Sequence, residues 1–460
     1  MAKKKILLLA DDLRMSSGIA NMSKQLVMGS LQHYDWVQLG AAVTHPEEGK
    51  ILDLCDDVRG KTGIADAYLK IYPSTGYGTA EKLRQVLEIE KPDAILHFTD
   101  PRYWIWLYDI EHEIRQHTPI FFYHIWDDLP DPKYNRDYYE SCDWIGCISK
   151  QTYGITRRVW GWDKEKHWTK PADWQVSYVP HGINSELYKP VEVPKDFKES
   201  IFGDKEYEFV LYWNNRNIRR KQPVDVILAF DKFVEALRPE ERSKVCLLMH
   251  TNPVEEHGTD LNTTISHCCS PETNVVFAPN RYSEEQLNWL YNIGDVTINV
   301  ASNEGFGLAT AESVMAGTPI IVTVTGGLQD QCGFRDKGTG KLLTAEDYVE
   351  IGSLHDRHKK AGVVWGDWVK PMWPVRSTTG SVPTPYIFDD RIDFEDITPL
   401  IMDFYKMGKE ERTKAALKGR KHYIGEGKLS KEAMCDALVE GMEGAFANWK
   451  PKQKFKLIEL

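Results

Sequence analysis

The sequence lacks several features that would assign the protein to a specialised class. Its eight cysteines are scattered without a CxxC pair, which argues against a zinc site and favours a reducing, cytoplasmic compartment. The first apolar run ends at Asp11, too early for a signal peptide or a membrane span. No internal repeat or low-complexity segment occurs. A net charge of −11 argues against broad non-specific binding of nucleic acid, although a local basic patch stays possible.

The composition is that of an ordinary globular protein of more than one domain. The chain has 460 residues, of which 42% are hydrophobic and 27% are charged, and this length favours two domains. The polar, proline-broken segment "VEVPKDFKES" is the predicted linker. We therefore expect an N-terminal domain over 1–192, completed by a C-terminal helix at about 440–460. The second domain is expected over 193–439, with an insertion at about 331–385 that is rich in Gly, Pro and Trp.

Both halves alternate apolar strand patterns with helical ones, which predicts two doubly wound α/β domains. The predicted strands of the first half are Lys3–Ala10, Asp93–Phe98, Pro119–Trp126 and Trp144–Ser149. Those of the second half are Glu208–Trp213, Val245–His250, Asn274–Pro279, Asp295–Val300 and Pro319–Val324. Such domains bind ligands at the carboxyl ends of their strands. His124 ends one predicted strand, and further candidate residues follow other strands at Ser16–Gly18, Arg216–Lys221, Asn280–Tyr282 and Glu304–Leu308.

The stretch "SNEGFGLATAESVMAGTP" carries the sharpest local signal. It predicts a glycine turn between a strand and a helix, with Glu304 before the turn and Glu312 inside the helix. Gly305 and Gly307 let a ligand approach the backbone, and the helix N-terminus favours an anion. A ligand with phosphates and many hydroxyls would suit this arrangement. The alternative for Glu312 is a solvated residue of an ordinary helix.

These residues make the chain resemble the retaining glycosyltransferases of the GT-B fold, of the family-4 type (glycosyl transferases group 1). The two glutamates separated by seven residues with GFG between them, the Arg216-to-Lys221 element and "VPHGINSELYKP" carry the resemblance. It is strongest over Tyr207–Asp330. Departures are the stretch 331–385 and Ser16-Ser17-Gly18, where many relatives have paired glycines.

The resemblance implies two facing Rossmann-like domains with a cleft between them, and a UDP- or GDP-sugar as co-substrate without a metal or other cofactor. It implies that Arg216 and Lys221 bind the diphosphate, that Glu312 binds the ribose and that Glu304 holds the donor sugar. The implied catalytic set is His124, Arg216, Lys221 and Glu304. The implied donor-binding set is Gly18, Arg216, Lys221, Asn280, Arg281, Glu304, Gly305, Phe306, Gly307, Leu308 and Glu312. Same-face reaction is favoured over double displacement, and the transferred sugar, hexose or pentose, stays open.

Bland interpretations exist for several of these residues. Arg216–Lys221 could be a solvated basic turn, and His124 could be a hydrogen-bonded core histidine. The doublets Asp127-Asp128 and Asp389-Asp390 resemble metal ligands, but caps and surface turns are the favoured interpretation. Gly326-Gly327 could be a plain turn or could border the ligand site.

The acceptor is the least determined part of the prediction. The stretch 150–174 mixes basic and aromatic residues, which suits sugar rings or unstacked nucleic-acid bases, and a solvated loop is the alternative. Its candidate contacts are Arg157, Arg158, Trp160, Trp162 and Lys164. The helix after the first strand carries only Lys24, so membrane docking is not favoured.

Three functions follow from the sequence. The first is transfer of a sugar to a saccharide acceptor. The second is a phage-type DNA glycosyltransferase that modifies a hydroxylated base. A non-catalytic nucleotide-sugar-binding protein ranks last, because Arg216, Lys221, Glu304 and Glu312 are all present.

Overall fold

The computed structural model describes residues 3–161, 170–354 and 361–452. The chain divides into two compact units. The N-terminal unit comprises 1–126, 131–182 and 431–460, and the C-terminal unit comprises 127–130 and 183–430. The units therefore change after 182 and after 430, whereas the sequence predicted boundaries after 192 and after 439.

The N-terminal unit is built on an eight-stranded sheet with the order β3-β4-β2-β1-β5-β6-β7-β8. All neighbouring strands are parallel except β3 and β4. The strands are β1 (Lys4–Asp11), β2 (Tyr34–Val43), β3 (Leu52–Asp53), β4 (Leu69–Thr75), β5 (Ala94–Phe98), β6 (Ile120–His124), β7 (Trp144–Cys147) and β8 (Val176–Tyr178). The helices are α1 (Gly18–Ser30), α2 (Cys55–Thr62), α3 (Ala80–Glu90), α4 (Ile105–Asp109), α5 (Glu111–Ile114), α6 (Arg136–Glu140), α7 (Lys150–Trp160) and, from the end of the chain, α18 (Lys431–Asn448).

The sequence explains why these elements form. The run Ile6–Ala10 is buried completely in β1, as expected for a central strand of a parallel sheet covered on both faces. Ser17, Thr79 and Ser149 cap α1, α3 and α7 by accepting a backbone hydrogen bond, which satisfies an otherwise free N–H of each first turn. Among the described residues, no helix has the length and apolarity needed to cross a membrane.

The C-terminal unit is built on a six-stranded parallel sheet with the order β11-β10-β9-β12-β13-β16. Its strands are β9 (Phe209–Asn214), β10 (Val245–His250), β11 (Val275–Phe277), β12 (Val296–Asn299), β13 (Ile320–Thr323) and β16 (Val369–Met372). Two small antiparallel pairs are β14 (Arg335–Asp336) with β15 (Val363–Val364), and β17 (Val375–Thr379) with β18 (Ile387–Arg391). The helices are α8 (Lys195–Phe202), α9 (Pro223–Glu235), α10 (Pro239–Arg242), α11 (Leu261–Cys268), α12 (Glu284–Ile293), α13 (Leu308–Ala316), α14 (Leu328–Gln331), α15 (Asp347–Ile351), α16 (Phe394–Met407) and α17 (Lys409–Ile424).

A continuous apolar core lies between this sheet and the helices α9 and α16. Because the strands are parallel, their carboxyl ends all lie on the same side of the sheet. Asn214, His250 and Asn299 are the last residues of β9, β10 and β12, so these polar residues lie together at the carboxyl ends of the central strands.

The region 331–385, expected to be an insertion or a long loop, contains regular structure. Its strand β16 pairs with β13 and forms the edge of the six-stranded sheet. The sequence hides this strand because Pro371 interrupts it, and proline is tolerated at a sheet edge, where one side of the ladder is unpaired. Asp389 and Asp390 lie in β18, which corrects the favoured interpretation of that doublet as a surface turn.

Candidate functional site

The predicted glycine turn connects β12 to α13. Gly307 adopts a positive φ of 85°, and a side chain there would also meet Leu328 at 2.4 Å, so the turn requires glycine. The side-chain amide of Gln331 donates to the carbonyls of Phe306 and Gly307 at 2.6 and 2.9 Å. These carbonyls are thus held by the protein, while the N-terminus of α13 offers the N–H groups that favour an anion.

Gly326 and Gly327 pack directly against this turn. A Cβ atom at Gly326 would lie 2.0 Å from the carbonyl oxygen of Glu304, and one at Gly327 would lie 2.4 Å from that of Gly305. The Gly327 amide donates to the Glu304 carbonyl at 3.0 Å. The two glycines therefore allow two loops to contact each other backbone to backbone, and they border the candidate site.

Glu304 pairs with two cations from the loop after β9. Lys221 donates to its carboxylate, and Arg220 donates to the same oxygen at 3.3 Å and to the Asn303 carbonyl at 3.0 Å. Burial would raise the pKa of Glu304, but Lys221 and Arg220 outweigh it, so the pKa lies below its usual value. Burial likewise lowers the pKa of Lys221, against the opposing effect of Glu304. This group of three side chains places one ionised carboxylate and two cations beside the glycine turn.

Arg216 does not contact this group in the structure. It donates to Glu255 at 2.7 Å, and its side chain is 59% exposed. The interpretation of the loop as a solvated basic turn fits Arg216 but does not fit Lys221, which is buried. Sequence reasoning assigned the loop but missed Arg220 as a partner of Glu304, because the spacing of Arg216 and Lys221 was the recognised signal.

Glu312 is not a solvated residue of a simple helix. Tyr291 donates to its carboxylate at 2.6 Å. Burial raises the pKa of Glu312 to about 7, despite the lowering effect of hydrogen bonds from Tyr291 and Tyr188. An acceptor for ligand hydroxyls thus stands half-buried in the second turn of α13.

A hydrogen-bond chain continues from Glu312 to the loop after β11. Asn214 donates to the Tyr291 hydroxyl at 2.8 Å and lies 2.9 Å from Nδ1 of His250. Nε2 of His250 lies 3.2 Å from the Asn280 carbonyl. Asn280 itself and Arg281 are exposed. Sequence reasoning missed Asn214 and His250, although their positions at strand ends could have signalled them.

The doublet Asp127-Asp128 lies beside the same turn, within the C-terminal unit. Asn303 donates to Asp128 at 2.6 Å. Burial raises the pKa of both aspartates. The carboxylate of Glu304 raises the pKa of Asp127 further, and Asp127 does the same for Asp128. In the described ranges, no group of three or more His, Cys, Asp or Glu side chains is placed to hold a metal ion.

His124 and Gly18 belong to the N-terminal unit. His124 is buried, and its ring nitrogens lie 2.9 Å from Thr156 Oγ1 and 3.1 Å from the Tyr139 hydroxyl. Burial lowers its pKa to about 3, so the hydrogen-bonded core histidine is the interpretation that this geometry favours. Gly18 begins α1, and a Cβ atom there would meet nothing within 4 Å.

The expected acceptor residues are only partly described. Arg157 pairs with Asp173 at 3.0 Å, and Arg158 pairs with Asp131 at 2.7 Å. Trp160 is 6% exposed, because α7 packs against β7 and β8, so this position corrects its expected role as a ring that lines an acceptor surface. Trp162 and Lys164 lie outside the described residues.

The two Rossmann-like units define the GT-B fold, and similar solved structures agree with it. A glycosyltransferase from Rickettsia africae is 12% identical with a TM-score of 0.63, over 97% of this chain and 100% of that one. Sucrose-phosphate synthase from Thermosynechococcus elongatus is 14% identical with a TM-score of 0.63, covering 97% and 100%. HepE from Anabaena, in complex with UDP and glucose, is 12% identical with a TM-score of 0.57, covering 96% and 99%.

Residues 194–351 match the model of the family Glycosyl transferases group 1, which confirms the resemblance drawn from the sequence. A D-inositol 3-phosphate glycosyltransferase from Arthrobacter sp. is 24% identical over 207 residues, covering 45% of this chain and 44% of the relative. Another of that name from Thermobispora bispora is 28% identical over 158 residues, covering 34% and 36%. The matches thus span less than half the length of these curated relatives.

Proposed function

We propose that this protein is a retaining glycosyltransferase that moves a sugar from a nucleoside-diphosphate sugar to an acceptor hydroxyl. The observation that carries the proposal is the grouping at the glycine turn. Lys221 and Arg220 meet Glu304 there, and Glu312 stands inside the helix that follows. The group 1 match over 194–351 supports the same activity, and UDP is the favoured nucleotide because it is bound in the HepE structure.

Each part of this grouping has a role in the proposed reaction. The N-terminus of α13 and Lys221 bind the diphosphate, with Arg216 joining when it leaves Glu255. Glu312 accepts from the ribose hydroxyls, and Glu304 accepts from hydroxyls of the donor sugar. The loop of Asn280 and Arg281 lies beside the base. The cations stabilise the negative charge of the departing diphosphate, which is typically the largest catalytic contribution in such reactions.

The chemical step is written as a same-face displacement. The bond between the anomeric carbon and the diphosphate oxygen breaks, and its electron pair stays on the diphosphate. The acceptor oxygen then bonds to the anomeric carbon on the same face and passes its proton to the departing diphosphate. This route needs no protein nucleophile, unlike double displacement.

A saccharide is the proposed acceptor. The DNA alternative rested on a basic patch at 150–174, and the two described arginines of that patch are paired with aspartates. No observation on the described residues favours DNA over a saccharide. Binding of an oligonucleotide at low salt would revive the DNA hypothesis, because phosphate contacts strengthen steeply as salt falls.

Hydrolysis of a panel of UDP- and GDP-sugars, followed by NMR of the product anomer, tests the proposal. We expect one donor to be hydrolysed slowly, and to be used faster with an acceptor, with the anomeric configuration retained. The assay is repeated with EDTA, and unchanged rates are expected. If calorimetry detects nucleotide-sugar binding but no donor is turned over, the non-catalytic binding protein becomes the better answer. An inverted product would refute the same-face route.

A further inference from the structure

A second group of side chains, in the N-terminal unit, has no role in the function proposed above. It consists of Tyr77, Tyr103, Trp104 and Trp106, which we call the aromatic cluster. Tyr77 follows β4, and the other three residues follow β5. The cluster therefore stands at the carboxyl ends of the strands, where doubly wound domains bind their ligands.

The rings of the cluster form a platform with one open face. Tyr77 and Tyr103 are stacked, with centroids 4.5 Å apart and planes at 12°. Trp104 meets Tyr77 edge-on at 5.3 Å, and Trp106 lies 5.9 Å from Trp104. Tyr103 is nevertheless 54% exposed. A large ring that is fixed by stacking on one side and open to solvent on the other is suited to stacking against a ligand.

Buried polar atoms without a partner among the described residues lie near the platform. Asp11, at the end of β1, is 7% exposed, and its Oδ1 has no hydrogen-bond partner among the described residues. The same holds for the hydroxyl of Ser74 and for Nε1 of Trp106. Leaving such an atom unsatisfied is costly, and most buried polar groups in proteins are paired. The set comprises a carboxylate acceptor, an indole donor and a hydroxyl that can do both.

These atoms are close to the rings. Asp11 and Asp100 both raise the pKa of Tyr77, after the larger effect of burial, which brings it to about 12. Gly78 neighbours both Ser74 and Trp106, because a Cβ atom there would lie 3.5 Å from Ser74 Oγ and 3.7 Å from Trp106 Cζ2, with Leu39 at 3.0 Å. The orphaned groups and the platform thus form one arrangement around the ends of β1, β4 and β5.

The charges disfavour an anionic ligand. Arg14 is bound to Asp12 and Glu47, and Arg102 is bound to Asp100, so both nearby arginines are already paired with carboxylates. Asp11 adds a further carboxylate, which would repel a phosphate. A sugar ring has an apolar C–H face that can stack on Tyr103 and hydroxyls that can bond with Asp11, Ser74 and Trp106.

We infer that the aromatic cluster with Asp11 and Ser74 binds an uncharged saccharide ring, and that this saccharide is the acceptor. The acceptor role rests on the proposed function, whereas the binding itself does not. This site replaces the stretch 150–174 as our candidate for the acceptor side. It also separates this chain from relatives whose named acceptor carries a phosphate.

The test uses maltose, cellobiose and sucrose as uncharged probes, with glucose 6-phosphate and a single-stranded oligonucleotide as charged ones. Saturation-transfer NMR on the full chain measures binding without turnover. We expect signals from at least one uncharged sugar, a loss of about five- to tenfold in affinity for Tyr103→Ala, and near wild-type affinity for Tyr103→Phe, which keeps the ring. Trp106→Phe, which removes the N–H donor and shortens the ring system but keeps an aromatic side chain, is expected to lose about threefold to fivefold. Ile105→Ala is the matched control, because Ile105 is exposed beside the cluster.

The outcomes separate this inference from the proposed function. Donor hydrolysis without acceptor should be equal in wild type and Tyr103→Ala, while the KM for the acceptor rises in the variant. Sugar binding that depends on Tyr103, without any donor turnover, would refute the transferase and keep the saccharide site. No binding of any uncharged probe, equal binding by Tyr103→Ala, or preference for a charged probe would overturn the inference.

Discussion

The carboxylates at the strand ends of the two units differ in how they are satisfied, although Nδ2 of Asn299 and Oγ1 of Thr323 in the C-terminal unit also lack a partner among the described residues. In the C-terminal unit, Glu304 and Glu312 already bind protein cations and hydroxyls. In the N-terminal unit, Ser17 donates to one oxygen of Asp11, whereas Oδ1 of Asp11 and Oγ of Ser74 are buried and have no partner in the part of the chain that the structure describes. The existing hydrogen bonds of Glu304 and Glu312 order the C-terminal site before a ligand arrives. A ligand that binds these carboxylates must replace some of those bonds. A ligand at the N-terminal site supplies bonds that the folded chain lacks. The proposed donor site and the proposed acceptor site are therefore prepared for their ligands in opposite ways.

The largest expected effect comes from breaking the ion pair between Lys221 and Glu304 in the proposed donor site. We expect Lys221→Ala to lower turnover by on the order of a hundredfold or more, because a charge that stabilises the leaving group is lost. It should also lower the melting temperature, since Glu304 is left buried with one fewer cation. The double variant Lys221→Met/Glu304→Gln should recover the melting temperature without recovering turnover. Recovery of both would reduce the pair to a structural role.

Lys221 is the first cation of the proposed diphosphate site, and either Arg216 or Arg220 is the second. Arg216→Ala is expected to lower turnover by on the order of a hundredfold, and Arg220→Ala by about tenfold, because Arg220 also holds the Glu304 loop. Steady-state rates with the accepted donor measure both. A near wild-type rate for Arg216→Ala, together with a large loss for Arg220→Ala, would transfer the diphosphate role to Arg220.

The two glutamates should divide nucleotide binding from transfer. Glu312→Ala is expected to weaken UDP binding about tenfold through the lost ribose contact, whereas Glu304→Ala should keep UDP affinity and lose transfer. Calorimetric titration of both variants measures this. Equal UDP affinity of wild type and Glu312→Ala would disprove the ribose role.

The raised pKa of Glu312, about 7, gives the same contact a pH dependence. Hydroxyl donors of the ribose need the ionised carboxylate, so UDP binding should strengthen as pH rises through 7 and should release protons below it. Titrations at pH 6.5 in two buffers of different ionisation enthalpy detect this release, and Glu312→Gln is the control that should release fewer protons, because only the terminal phosphate of UDP then titrates. The titratable groups that interact with Glu312 include Tyr291, Tyr188, Tyr212 and Glu284.

The smallest expected effect concerns the partner of Arg216. Glu255→Gln should free Arg216 for the diphosphate and tighten UDP binding about twofold to fivefold, the value of an exposed ion pair. Glu272→Gln removes the comparable pair with Arg242 and should change nothing. If both variants bind UDP like wild type, Arg216 is not restrained by Glu255.

The class of fold and the glycine turn could be predicted from the sequence because both depend on local pattern. The runs Ile6–Ala10 and Ile320–Val322 are continuous and apolar, and the spacing of Glu304 and Glu312 is set by one glycine turn and the start of one helix. Pairings across the chain could not be predicted. Glu255 lies 39 residues from Arg216, and no local period connects them.

The same limit explains the N-terminal unit. His124 stands at a strand end, which suggested a ligand contact, yet Thr156 and Tyr139 reach its ring from two later helices. The aromatic cluster was missed because Tyr77 and Tyr103 come from separate loops and meet only in the folded sheet. Strand β16 was missed because a proline argues against a strand. At the edge of a sheet the proline is tolerated, but the sequence does not show that β16 is an edge strand.

The helix α18 has a consequence for how the chain is made. It packs against α1, β7 and β8, and Tyr34 donates to its Glu443 at 2.9 Å. A ribosome completes this helix only after the whole C-terminal unit has been synthesised, so the N-terminal sheet waits for its last covering element while the C-terminal unit already has all of its strands. Domains usually fold in the order of synthesis. Here the N-terminal unit is completed last, because its final helix is synthesised after the whole C-terminal unit. Cutting the chain at 430/431 and supplying 431–460 as a peptide should therefore reconstitute the protein from two pieces.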